Sequence, residues 1–129
     1  DKNVSKKILP ILRKIVTTNE GTANLANVYG YEIGGKTGTA NKSSAGGYVN
    51  KKINTFVSIF PTSKPKFILA VMLDEPQINS DYIYKYRDGS GFELKGSPRN
   101  TAGWNSVETT GHIVEKIGPI LATKYSEFE

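Results

Sequence analysis

The side chains best equipped for chemistry in this chain stand together in Lys36-Thr37-Gly38-Thr39. If that segment is extended, alternate residues share a face, so the Thr37 and Thr39 hydroxyls point the same way with the Lys36 ammonium beside them. Hydroxyl donors next to a cation make charge-assisted hydrogen bonds to an anion such as a carboxylate. Gly38 has no side chain to hold a ligand's backbone off the strand, a frequent meaning of glycine inside a strand. An edge strand of this kind can take up an extended peptide along its free edge.

A competing reading uses overlapping residues. Gly30-Tyr31-Glu32-Ile33-Gly34-Gly35-Lys36-Thr37 matches the phosphate-loop pattern G-x-x-x-x-G-K-[ST] letter for letter. A phosphate cradle, however, follows a buried strand and opens a helix whose N-terminus faces the anion. Here Asn24 to Val28 is a weak strand, and Thr39 to Gly47 is too rich in Gly and Ser to begin a helix. Tyr31, Glu32 and Ile33 would also crowd a tight backbone nest, so nucleotide binding is rejected.

Other reactive residues read as structure. His112, the single histidine, lies in a helical stretch without a serine or carboxylate at a motif spacing. Asp74 and Glu75 point apart on a strand, which suits a turn or ion pair better than paired acid–base work. Tyr82, Tyr84 and Tyr86 with Lys85 and Arg87 could stack on single-stranded nucleic acid, but their alternation before Asp88-Gly89 is that of a small exposed hairpin. With 0 Cys and 1 His the chain offers no disulfide framework and no zinc cluster, and no cofactor is expected.

The elements that must position the Lys36 segment follow from periodicity. Val4, Ile8, Ile11, Leu12, Ile15 and Val16 fall on one arc of a helix from Ser5 to about Thr18, with Ser5 as N-cap and Lys2, Lys6, Lys7, Arg13 and Lys14 on the solvated arc. Tyr31 to Ala40 is the motif strand, and Asn41 to Asn50 reads as flexible. Lys51 to Phe60 and Lys66 to Leu73 form an antiparallel hairpin around Pro61-Thr62-Ser63-Lys64-Pro65. Both strands are apolar on both faces, so helices should cover the sheet on both sides. A last helix, about Asn105 to Lys124, carries Gly111 and Gly118 for close packing against the sheet, and Pro119 as a bend or break. The expected architecture is α+β: a mainly antiparallel sheet of three core strands, the motif strand at one edge, and the N- and C-terminal helices against it.

A chain of 129 residues suffices for one packed domain and not for two of ordinary size. Its longest apolar run, the seven residues Phe67 to Leu73, is far below the roughly 20 a membrane-crossing helix needs. Of the net charge of +5, the first fourteen residues hold +4, so the charge describes one helix face rather than a nucleic-acid partner.

Lys36-Thr37-Gly38-Thr39-Ala40 resembles the Lys-Thr-Gly motif of penicillin-binding proteins and serine β-lactamases. Its surroundings are similar to those of class B penicillin-binding proteins: Val4-Ser5 opening a helix to Ile15-Val16, then Gly21-Thr22-Ala23 and Tyr29-Gly30-Tyr31. Phe56 to Pro61 and Pro65 to Pro76, ending in Asp74-Glu75-Pro76, resemble the two strands after the motif. Thr101-Ala102-Gly103-Trp104-Asn105 resembles the form of the septal, cell-division branch. Only Ile78 to Arg99 fits poorly.

The resemblance implies a peptidoglycan D,D-transpeptidase, in which a serine attacks the D-Ala-D-Ala carbonyl of a stem peptide and β-lactams trap the same serine. It implies that Lys36 supplies the catalytic field, that the Thr37 and Thr39 hydroxyls bind the substrate carboxylate, that Gly38 clears the substrate strand, and that the Thr39 N–H forms half of an oxyanion hole. It further implies a place at the bacterial inner membrane with this domain in the periplasm, although no targeting segment is visible, and cell-division proteins as partners. The family's Ser-x-x-Lys nucleophile motif must precede Lys36, yet nothing there fits. Ser63-Lys64-Pro65-Lys66 has the letters but lies in a turn after the motif, and no Ser-x-Asn occurs. Tyr48-Val49-Asn50 imitates a variant in the wrong order. Residues 1–129 are therefore expected to be the C-terminal part of a transpeptidase domain, inactive alone and inclined to dimerise over surfaces left uncovered. A fragment of a serine β-lactamase or β-lactam sensor, and a non-enzymatic basic binding module, are the alternatives.

Overall fold

A computed structural model describes residues 1–125. Helix α1 (Lys2–Thr17) begins earlier than expected, because the Asp1 carboxylate accepts the Asn3 N–H at 3.0 Å and so caps it in place of Ser5. Pro10 sits inside the helix on an exposed position without ending it. Two features of its faces differ from expectation. Val4, Ile8 and Ile11 remain exposed, and only the C-terminal turns around Ile15 and Val16 reach the core. Arg13 is not on a solvated arc, since its Nη1 donates to the Ile33 carbonyl at 2.6 Å and ties the helix to the chain entering the sheet. Burial lowers the pKa of that guanidinium, a shift that Glu32 opposes.

The sheet has the expected order. β1 (Gly34–Ser44), β2 (Gly47–Phe60) and β3 (Phe67–Asp74) are antiparallel neighbours in sequence order, so the motif strand β1 forms one edge and β3 the other. The segment 41–50, expected to be flexible, instead continues the ladder: Ser43 pairs with Tyr48 and Ser44 with Gly47 around Ala45-Gly46, after a register shift between Asn41 and Ser43. Ladder pairing overrides the poor strand propensity of these residues. Lys42 fastens the extension to the end of β3 by reaching Asp74 at 2.7 Å and Glu75 at 2.9 Å, and Lys51 reaches Glu75 at 3.3 Å. The Asp74-Glu75 pair is thus an ion-pair anchor, as read from the sequence.

Alternation along β2 sends Asn54, Phe56, Ser58 and Phe60 to one buried face. Helix α2 (Ser106–Tyr125) lies over that face, with Val107 and Val114 in the same core. The opposite face is covered only beside β1, where Gly34 faces the Leu12–Arg13 backbone of α1, whose C-terminal part also meets the short turn around Leu25. Val57 is 46% exposed, Ile68 73% and Met72 67%, so helices do lie on both sides of the sheet, but over β2 and β3 the second side is bare among the described residues. The glycines of α2 also serve other neighbours than the sheet. Gly111 receives the Leu25 carbonyl and Gly118 the Tyr31 ring. Pro119 does not break α2, which continues to Tyr125.

The chain between β3 and α2 holds the hairpin of β4 (Ile83–Lys85) and β5 (Glu93–Lys95). It is less exposed than the tyrosine pattern suggests. Tyr84 is buried between Tyr82 and Trp104, edge-on to both rings. Arg87, with its side chain only 4% exposed, pairs with Glu108 at 3.1 Å and Glu115 at 3.2 Å and donates to the Leu25 and Lys85 carbonyls. His112, expected to lack an acidic partner, stands 2.9 Å from Glu108 and 3.1 Å from the Tyr82 hydroxyl. One helical turn brings the imidazole and the carboxylate together, and the network locks the hairpin onto α2.

Candidate active-site groove

The motif strand starts at Gly34 rather than Tyr31, because Glu32 adopts a left-handed backbone (φ 45°) and turns the chain. Its carbonyl accepts the Thr62 N–H, and its carboxylate accepts the Ser63 N–H at 3.1 Å; the Ser63 hydroxyl and then that N–H lower its pKa. The glycines then divide by role. A Cβ on Gly35 would run into the Phe56 ring and one on Gly34 into helix α1, so both are required by packing. A Cβ on Gly38 would meet nothing nearer than the Thr55 carbonyl at 4.0 Å, and its φ is not left-handed. No packing inside the chain requires glycine there.

The register puts Thr37 opposite Phe56 and Thr39 opposite Asn54, so the two hydroxyls do share a face. Lys36, opposite Val57, leaves the strand from the other face. It nevertheless lines the same groove, its Nζ donating to the Thr37 carbonyl at 2.9 Å. Thr37 Oγ1 lies 3.0 Å from Thr22 Oγ1, and Thr39 Oγ1 accepts the Ala102 N–H at 3.0 Å.

These contacts close a groove of about 680 Å³ between β1, the segment around Thr22 and Leu25, and the wall 98–104 with Trp104. Lys36 and Arg99 give it two cations, and among the described residues no carboxylate lines it. The geometry suits an extended, anionic ligand lying along the free edge of β1. Thr22, Arg99, Ala102 and Trp104 were not singled out as site residues from sequence. They lie 14 to 68 positions from Lys36, and only tertiary packing brings them to the motif.

Other sequence candidates fall elsewhere. Ser63-Lys64 lies in the bend joining β2 to β3, Tyr48-Val49-Asn50 lies in β2 near the distal hairpin turn, and the chain after Lys36 continues as a strand instead of opening a helix. None of these serines or tyrosines lines the groove. Among the described residues no cluster of metal-ligating side chains occurs, and no helix is long and apolar enough to cross a membrane.

A cation and two hydroxyls on the edge strand of an α+β fold make a groove whose chemistry suits an anion. Comparison with known proteins names its family: residues 1–90 match the penicillin binding protein transpeptidase domain, and the chain belongs to that family. It is similar to the probable peptidoglycan D,D-transpeptidase FtsI of Caulobacter vibrioides, 30% identical over 130 residues, which cover 95% of this chain and 20% of the relative. It is also similar to the probable peptidoglycan D,D-transpeptidase PenA of Neisseria flavescens, 40% identical over 81 residues, 62% of this chain and 20% of that one. The transpeptidase domain of Burkholderia pseudomallei penicillin-binding protein 3 superposes with a TM-score of 0.62 at 28% identity, covering 92% of this chain and 29% of that structure. The chain spans about a fifth or less of the length of the relatives it matches.

Proposed function

We propose that this chain forms one wall of the catalytic cleft of a peptidoglycan D,D-transpeptidase, as the C-terminal part of its transpeptidase domain. The observation that carries the reading is the free edge of β1, where, among the described residues, Gly38 answers to no packing and Lys36, Thr37 and Thr39 face a groove lined by no acid. The Thr37 and Thr39 hydroxyls donate to the terminal carboxylate of a D-Ala-D-Ala stem peptide, and the Lys36 ammonium supplies the field that holds it. The stem strand lies antiparallel along β1, close over Gly38, and the Thr39 N–H provides half of an oxyanion hole.

The nucleophile is a serine outside these 129 residues. Its Oγ adds to the carbonyl of the D-Ala-D-Ala bond, the C–N bond breaks, and D-Ala leaves with the proton taken from the serine. An amine of a neighbouring stem then attacks the ester, forming the cross-link and returning the serine hydroxyl. A β-lactam carries a carboxylate and a strained amide in the same relation, and so enters the same cleft. The Thr101-Ala102-Gly103-Trp104-Asn105 wall and the FtsI-named relatives support a role in cell division, with the domain on the periplasmic side of the inner membrane.

Fluorescent penicillin tests the division of labour. The 129-residue chain is expected to take up no covalent label, whereas the same chain joined to the preceding coding sequence of its gene is labelled at one upstream serine. Labelling of the isolated chain at a single site would overturn this.

A further inference from the structure

We infer that Asn100 is a positioning residue for the groove, setting the Ala102 amide that orients the Thr39 hydroxyl; its functional consequence rests on the carboxylate reading above. The wall 98–104 has little regular structure, a single short turn at Ala102–Trp104, so its place against β1 has to come from side chains. Asn100 supplies it. Its Nδ2 donates to the Pro76 carbonyl at 2.6 Å, and its Oδ1 accepts from Asn54 Nδ2 at 3.1 Å and Asn105 Nδ2 at 3.2 Å. One side chain thereby joins the chain leaving β3, the middle of β2 and the start of α2, where Asn105 Oδ1 accepts the Ser106 N–H at 2.7 Å.

The second observation is Asn54 itself. It is fully buried directly opposite Thr39 in the ladder, and its Oδ1 has no partner among the described residues. A buried acceptor left unpaired is costly, and the donation to Asn100 is what that amide provides in return. The consequence reaches the ligand through proton accounting. The Thr39 hydroxyl has one proton; because its oxygen accepts the Ala102 N–H, the proton is left to donate on the groove side, toward an anion. If the wall shifts, that oxygen is released and the hydroxyl is free to rotate away.

The test uses the chain itself, by NMR. In Asn100→Ala the Ala102 amide is expected to exchange at least about tenfold faster while the Phe56 and Val71 amides keep their protection. Affinity for N-acetyl-D-Ala-D-Ala should fall about tenfold, as in Thr39→Val, and the double variant should lose no more than either single one. In Asn100→Asp the carboxylate faces the Pro76 carbonyl at neutral pH, and protonation near the ordinary range of about 4 restores a donor there. The Ala102 amide shift of that variant alone should return toward its normal position in acid. Unchanged Ala102 exchange, parallel loss of protection at Phe56 and Val71, or additive affinity losses would each overturn the inference. If the unmodified chain binds no peptide while Ala102 still responds to Asn100→Ala, the carboxylate reading fails and the coupling stands.

Discussion

In the proposed cleft Gly38 separates the demands of binding from those of folding at a single residue. Gly34 and Gly35 are held to glycine by helix α1 and the Phe56 ring, whereas the space above Gly38 is open. Gly38→Ala is therefore expected to leave the melting temperature unchanged or slightly raised, since it only removes freedom from the unfolded chain. It should weaken N-acetyl-D-Ala-D-Ala binding by about tenfold or more, because the methyl group stands where the peptide backbone must pass. Gly35→Ala should do the reverse in thermal melting, with a loss of about 1–3 kcal/mol from overpacking against Phe56. Calorimetry and titration on the two variants check the contrast. The motif residues were legible in the sequence because Lys36 to Thr39 are adjacent and strand alternation alone fixes which of them share a face. The partners that orient them, Thr22 and Ala102, were not, because no periodicity links a strand to segments so far along the chain.

At the level of elements, the three-stranded order, the β2–β3 turn and the two helices could be read from apolar patterning. The β1–β2 extension could not. Residues 41–50 carry Gly, Ser and Asn, and what keeps them paired is the ladder itself together with Lys42 and Lys51 gripping the end of β3. Ion pairs of this kind give the extension a pH dependence of known sign. The side chains of Lys42 and then Lys51 hold the pKa of Glu75 below its ordinary value. A carboxylate depressed in the folded state stabilises that state above its unfolded pKa, and the contribution disappears as pH falls through the lower, folded value. Glu75→Gln should therefore melt below the unmodified chain at pH 7 and converge with it as pH drops from about 4.3 downward. A gap that stays constant to pH 3 would show that the anchor does not act through charge.

The whole molecule presents a contrast between a covered and a bare side of one sheet. Phe56, Phe60, Val107 and Val114 are closed in beneath α2, while Val57, Ile68 and Met72 on the sheet and Val4, Ile8 and Ile11 on α1 are open to solvent. Apolar patterning on both strand faces revealed that cover is needed and could not reveal that α1 leaves it unsupplied over β2 and β3, since that depends on where the helix crosses. Exposed apolar surface of this kind, beside the free edge of β3, drives association. Sedimentation should show the isolated chain moving from monomer toward dimer as concentration rises, and a monomer at all concentrations would contradict this. The other side of the molecule holds the groove along β1, and a two-peptide titration tests its role most directly. N-acetyl-D-Ala-D-Ala should shift the amides of Thr22, Lys36 to Thr39 and Ala102 to Trp104, and the same peptide with its C-terminal carboxylate converted to an amide should shift them little or not at all. Equal responses to the two peptides, or none to either, would contradict a carboxylate site built on Lys36, Thr37 and Thr39.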